Sequence, residues 1–113
     1  MKLEFTYDRN NCDETKPLIY AWFLQNHIYV GKSDDGASRP LKHYKRNVER
    51  YFRGEPYRPG NPNGWRKVHL AMIEAVKDGE EIRLKLVENV GDGEDIYQAE
   101  EHWRVALNAD LNG

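Results

Sequence analysis

Apolar and polar positions change period several times along the chain, and each change marks an element. Leu18–Phe23 and Ile28–Lys32 are dense in β-branched and aromatic residues and read as strands. Gln25–Asn26–His27 between them is short enough to close a hairpin. Tyr20 and Tyr29 then sit on neighbouring antiparallel strands, within reach of one site if the register allows it. Upstream, Leu3, Phe5 and Tyr7 alternate weakly in residues 1–7 and offer an additional N-terminal edge strand. The polar, turn-like segment Asp8–Lys16 ends at Pro17.

Beyond the hairpin the period lengthens. Ser33–Ser38 is a loop with capping residues, and a helix starts near Ser38 with Pro40 in its first turn. Leu41, Tyr44, Val48 and Tyr51/Phe52 form one stripe of that helix. Gly54 to Gly64, with Pro56, Pro59, Pro62 and three glycines, is a loop. A second helix over Trp65–Lys77 buries Val68, Met72 and Val76, and Gly79 stops it. Ile82, Leu84 and Leu86 alternate with Arg83 and Lys85 in a half-exposed strand; after the turn Gly91–Asp92–Gly93, a last helix runs from Asp95 to about Leu107. The predicted fold is α+β: a small, mainly antiparallel three-stranded sheet flanked by helices, with the extra edge strand available. Residues 1–113 form a single domain, 1–16 as an N-terminal extension and 17–113 as the core.

Composition adds exclusions. Hydrophobic residues make up 39% and charged residues 32%, as in soluble globular chains. No apolar run approaches about 18 residues, which argues against a membrane span. Met1–Phe5 lacks the basic-then-apolar order of a signal peptide. Cys12 is the only cysteine, so no intrachain disulfide or cysteine-based zinc cluster forms, and a cytoplasmic setting fits. The net charge of −2 hides an uneven distribution. Residues 39–67 carry nine basic side chains against Glu49 and Glu55, interleaved with Tyr44, Tyr51, Phe52, Tyr57 and Trp65. Residues 68–113 carry four basic and eleven acidic ones. Such a segment suits a phosphate-facing surface, provided the fold gathers it on one side.

Three positions stand out chemically. Arg39 and His43 are four apart on the first predicted helix, beside its apolar stripe. A guanidinium forks onto two phosphate oxygens, and a nearby histidine relays a proton or bonds a third. On the last helix, Glu100 falls within the stripe of Ile96, Ala99, Trp103, Ala106 and Leu107, with Glu101 one step away. An inward carboxylate is costly unless paired or bound to a cation. His27 sits at the hairpin tip, His69 and His102 lie on helices without a partner carboxylate at a recognisable spacing, and neither a zinc-ligand nor a Walker pattern is present.

Leu18–Ile19–Tyr20 and Tyr29–Val30–Gly31, followed by Arg39, His43, Glu100 and Leu111–Asn112, resemble the GIY-YIG endonuclease family in order and spacing. Leu18 stands where the family's first tripeptide has glycine, and Val30 stands for isoleucine. The resemblance implies a GIY-YIG nuclease-like fold and a divalent-metal-dependent DNA endonuclease. Glu100 is then the ligand of one Mg²⁺ or Mn²⁺, with Glu101 the alternative. Tyr20 or Tyr29 is the general base, Arg39 steadies the transition-state charge, and His43 assists. Lys32 contacts phosphate or favours an ionised tyrosine, and Asn112 orients the site. Gly31 permits close approach of backbone or substrate, and Lys42 and Arg46 of the basic segment join the substrate contacts. With no further DNA-binding domain, target choice falls to that segment, to a homo-oligomer or to a partner protein. The second reading is a non-catalytic nucleic-acid-binding or protein-interaction module of the same fold.

Overall fold

The computed structural model describes residues 3–112. Four strands and three α-helices follow one another as β1 (Phe5–Asp8), β2 (Leu18–Leu24), β3 (His27–Ser33), α1 (Ser38–Phe52), α2 (Lys67–Lys77), β4 (Ile82–Asn89) and α3 (Ile96–Ala106), before a 3₁₀ turn at Asp110–Asn112. The sheet order is β1-β4-β2-β3. β2 runs antiparallel to β3 and β4, whereas β1 pairs parallel with β4, Phe5 opposite Ile82. The additional N-terminal edge strand is therefore present, and its parallel pairing makes the sheet four-stranded and mixed instead of the expected three mainly antiparallel strands. The N-terminal segment earns its place in it through Phe5, whose ring meets Trp22 edge-on at 5.8 Å. Residues 1–2 of the expected edge strand, and Gly113, lie outside the described residues.

Both faces of the sheet are covered, which is why β2 reads as an almost unbroken apolar run. Leu18, Tyr20, Trp22 and Leu24 point to one face with Tyr29, Ile82, Leu84 and Leu86. Tyr44 and Val48 of α1, and Val68, Met72, Ile73 and Val76 of α2, close over them. Ile19, Ala21 and Val30 point to the other face, beneath Ile96, Ala99 and Trp103 of α3 and Leu107 just past its end. Each large apolar side chain so enclosed contributes about 1.5–3 kcal/mol relative to exposure. The result is a three-layer arrangement, α1/α2 over the sheet over α3.

Local chemistry sets the ends of the elements. The hairpin turn is two residues, Gln25–Asn26, because Leu24 already pairs with His27. Gln25 takes a left-handed φ of 44° there, as such tight turns require. Helix α2 begins at Lys67 and not at Trp65, since Arg66 is extended and acts as its N-cap. It ends as expected at Gly79 (φ 70°), where the amides of Gly79 and Glu80 bond back to Val76 and Ala75. The Asp95 carboxylate caps α3 through the amides of Tyr97 and Gln98. Between β2 and β4 the register slips by one residue at Ile19/Tyr20, a bulge that twists the strand beside Tyr20.

Candidate active site

The hairpin register decides how the two tyrosines meet. Tyr20 lies opposite Gly31 and Tyr29 opposite Trp22, so the tyrosines are diagonal neighbours on one face. A Cβ at Gly31 would fall on the Tyr20 ring. Gly31 thus makes room for the protein's own tyrosine, and not for substrate. Tyr44 descends from α1 between them, its ring centroid 6.0 Å from Tyr20 and 6.1 Å from Tyr29. The hydroxyls of Tyr20 and Tyr44 share a buried hydrogen bond of 2.8 Å. Burial, then the contact with Tyr44, drives the Tyr20 hydroxyl far above the ordinary tyrosine range. Burial and the neighbouring Tyr29 push Tyr44 up to about 12.

Tyr29 has a different partner. Arg66, the residue before α2, donates from Nη2 to the Tyr29 hydroxyl at 2.5 Å. Its guanidinium carbon lies 5.3 Å from the centre of the Tyr29 ring. Arg66 is fixed from behind, because its backbone amide donates to Nδ1 of His69 at 3.3 Å. His69 is 2% exposed and lies 3.3 Å from the Asn47 amide through Nε2. The atom placed there is Asn47 Nδ2; a neutral ring whose Nδ1 accepts carries its proton on Nε2, which a half-turn of the Asn47 amide would meet with Oδ1. Burial, helped by the Arg66 charge, lowers His69 to about 4, and the ring is neutral at pH 7.

These groups border a groove of about 440 Å³ that takes in both faces of the sheet along the edge strand β3. From α1 come Arg39, His43 and Asn47; from β3 Tyr29 and Lys32; from α3 Glu100. Arg66, His69, Tyr57 and Arg58 border it at the α2 end, and Asp34 and Asp35 in the β3–α1 loop. Slight burial and the charges of Arg39 and Arg46 hold His43 below the ordinary histidine range. The Lys32 ammonium lies 4.7 Å from the Tyr97 ring centre. Six of the residues singled out in the sequence, Tyr20, Tyr29, Lys32, Arg39, His43 and Glu100, are brought to one groove from four elements.

Others fall elsewhere. Lys42 and Arg46 are exposed on the outer side of α1 and do not border the groove. With Arg39 they form a ridge at helical spacing alongside it. Asn112 spends its amide on the edge of β3, where Oδ1 accepts from Val30 N–H at 2.8 Å and Nδ2 donates to Val30 C=O at 2.6 Å. Glu101 is exposed and accepts from Arg104 at 2.9 Å. His27, which has no partner nearby in sequence, meets Asp110 across the hairpin tip at 2.5 Å. Sequence spacing missed Arg66, Asn47 and His69, which reach Tyr29 through packing between α1 and α2. The only prior hint was the basic, aromatic segment that contains two of them.

Glu100 is half-buried and has no hydrogen bond or ion pair among the described residues. No cluster of three or more histidine, cysteine, aspartate or glutamate side chains suited to a metal is found among them either. A single unpaired carboxylate facing open space still fits a hard divalent cation such as Mg²⁺, which keeps most of its waters and takes one or two carboxylates. No helix among the described residues is long and apolar enough to cross a membrane. Compared with models of known families, with curated proteins and with solved structures, the chain finds no significant match.

Proposed function

We propose that this chain is a divalent-metal-dependent DNA endonuclease of GIY-YIG type. The observation that carries this reading is the meeting of Tyr29, Lys32, Arg39, His43 and Glu100 in one groove of about 440 Å³. Those residue types in one cleft supply a base, cations for a phosphate, and a carboxylate for a metal.

Each side chain has a task. Arg39 forks onto non-bridging phosphate oxygens, and Lys32 adds a second positive charge beside them. Tyr29, as the phenolate, takes a proton from water while the water oxygen bonds to phosphorus and the bond to the 3′ oxygen breaks. The departing 3′ oxygen takes its proton from solvent, and Tyr29 then loses its own to solvent. Tyr20 is the poorer base, because its hydroxyl is buried and bonded to Tyr44. His43, neutral at pH 7, bonds a phosphate oxygen beside Arg39. Glu100 would hold one Mg²⁺ or Mn²⁺, which would supply further charge neutralisation at the scissile phosphate.

The test is supercoiled plasmid incubated with pure protein and Mg²⁺ or Mn²⁺, beside Glu100→Ala and Arg39→Ala. Wild-type nicking that falls by at least about 100-fold in both variants is expected, the scale of losing one transition-state group. Salt-sensitive DNA binding without nicking replaces the enzyme by a nucleic-acid-binding module built on the exposed α1 ridge. DNA that fails to compete for an acidic protein points to the protein-interaction reading instead.

A further inference from the structure

Arg66, which donates to the Tyr29 hydroxyl, is none of the motif positions Tyr20, Tyr29, Arg39, His43, Glu100 and Asn112. We propose that Arg66 is the charge partner that favours the ionised form of Tyr29, a positioning residue for proton transfer in the nuclease reading on which this rests. Three observations carry it. The guanidinium donates to the phenol oxygen itself at 2.5 Å, so its charge bears on the atom that must accept a proton. No carboxylate pairs with Arg66 among the described residues, which leaves its charge directed at Tyr29 and Tyr44. Its backbone amide donates to Nδ1 of His69, a buried neutral ring whose Nε2 lies 3.3 Å from the Asn47 side chain of α1.

The other groups around Tyr29 do not substitute for it. Tyr20 and Tyr44 are uncharged phenols, and the ionised form of either would oppose that of Tyr29. Lys32, Arg39, His43 and Glu100 border the same groove, but none of them bonds the Tyr29 hydroxyl. In the absence of DNA, Arg66 is the one cation hydrogen-bonded to that oxygen among the described residues. Arg39 and Lys32 remain free to meet phosphate. The two arginines therefore divide the work, one for the base and one for the substrate.

Two measurements on the whole protein test this, using wild type, Arg66→Met, Arg66→Lys and Tyr29→Phe. In the first, nuclear magnetic resonance of isotope-labelled tyrosine Cζ follows each phenol against pH without DNA or metal. The signal missing from Tyr29→Phe should titrate about one pH unit or more higher in Arg66→Met, with Arg66→Lys between, since Met keeps the stem and Lys keeps the charge. A Tyr29 signal that titrates identically in wild type and Arg66→Met overturns the proposal. In the second, plasmid nicking is followed against pH. The acidic limb of the profile should move upward in Arg66→Met by a similar amount. Rates lowered equally at every pH make Arg66 a substrate contact only and also overturn the proposal. If wild type does not nick but the Tyr29 signal moves, the endonuclease reading falls and the pairing of Arg66 with Tyr29 stands.

Discussion

At the scale of single residues, two tyrosines that look equivalent in the sequence are made different by what surrounds each hydroxyl. Tyr20 is 6% exposed and bonded to another phenol, so ionising it would place a charge in the core. Tyr29 is 9% exposed, yet its oxygen faces a guanidinium at the groove wall. The expected outcome of Tyr20→Phe is a loss of about 1 kcal/mol in stability, from one buried hydrogen bond, with nicking kept within about tenfold. Tyr29→Phe should leave stability within about 1 kcal/mol and reduce nicking by at least about 100-fold. Denaturant melts and plasmid assays on the two variants, side by side, check both halves. Equal loss of nicking in the two would return Tyr20 to the chemistry. The sequence carried both positions and their strands but not this distinction, because it depends on Arg66, 37 residues beyond Tyr29.

At the scale of elements, the hairpin, the three helices and the order of all of them were legible, since β-branched runs and helical stripes are local signals. The parallel pairing of β1 with β4 was not, because a short edge strand gains its place from a partner more than 70 residues away. The start of α2 was misread for a related reason. Trp65 belongs to a ring cluster with Tyr51 and Tyr57, at 5.6 and 5.0 Å, and not to the helix. The 3₁₀ turn shows the same limit at the site, because the Leu-Asn pair is expected to orient the site while its geometry makes it a clamp on the edge of β3. Asn112 and Asp110 together satisfy the outward amides of Ile28 and Val30, the stretch of β3 that carries Tyr29. Removing the clamp with Asn112→Ala should cost about 1–3 kcal/mol and leave Val30 N–H without its partner. Hydrogen exchange at that amide should accelerate by at least tenfold, while amides of α2 change only with global stability. Unchanged exchange at Val30 would mean that the clamp does not hold the strand edge.

At the scale of the whole molecule, the sheet and the α1/α2 layer meet in a ring and hydroxyl network that sits under the groove and is closed by His69. That ring packs within 6.0 Å, centroid to centroid, of Tyr44, Tyr57 and Trp65, and the Arg66 guanidinium is the charge that acts on it. Its neutrality links the fold to pH. In the unfolded chain His69 takes up a proton as pH falls through about 6.5, whereas in the fold it does so only near about 4. Between those values the unfolded state binds more protons, so stability is complete above pH 6.5 and declines as pH falls toward 4. A displacement of that size corresponds to roughly 3 kcal/mol, a large share of a small domain's stability. The carboxylates held low, Asp13, Glu55 and Asp110, act at lower pH, because their contribution is lost only as they take up protons. Urea melts of wild type at pH 7.0 and 4.5 should therefore differ by about 2 kcal/mol. In His69→Gln, which keeps an amide facing Asn47 but cannot take up a proton, most of that difference should disappear. An equal loss in both proteins would assign the acid sensitivity to the surface carboxylates and detach it from the groove.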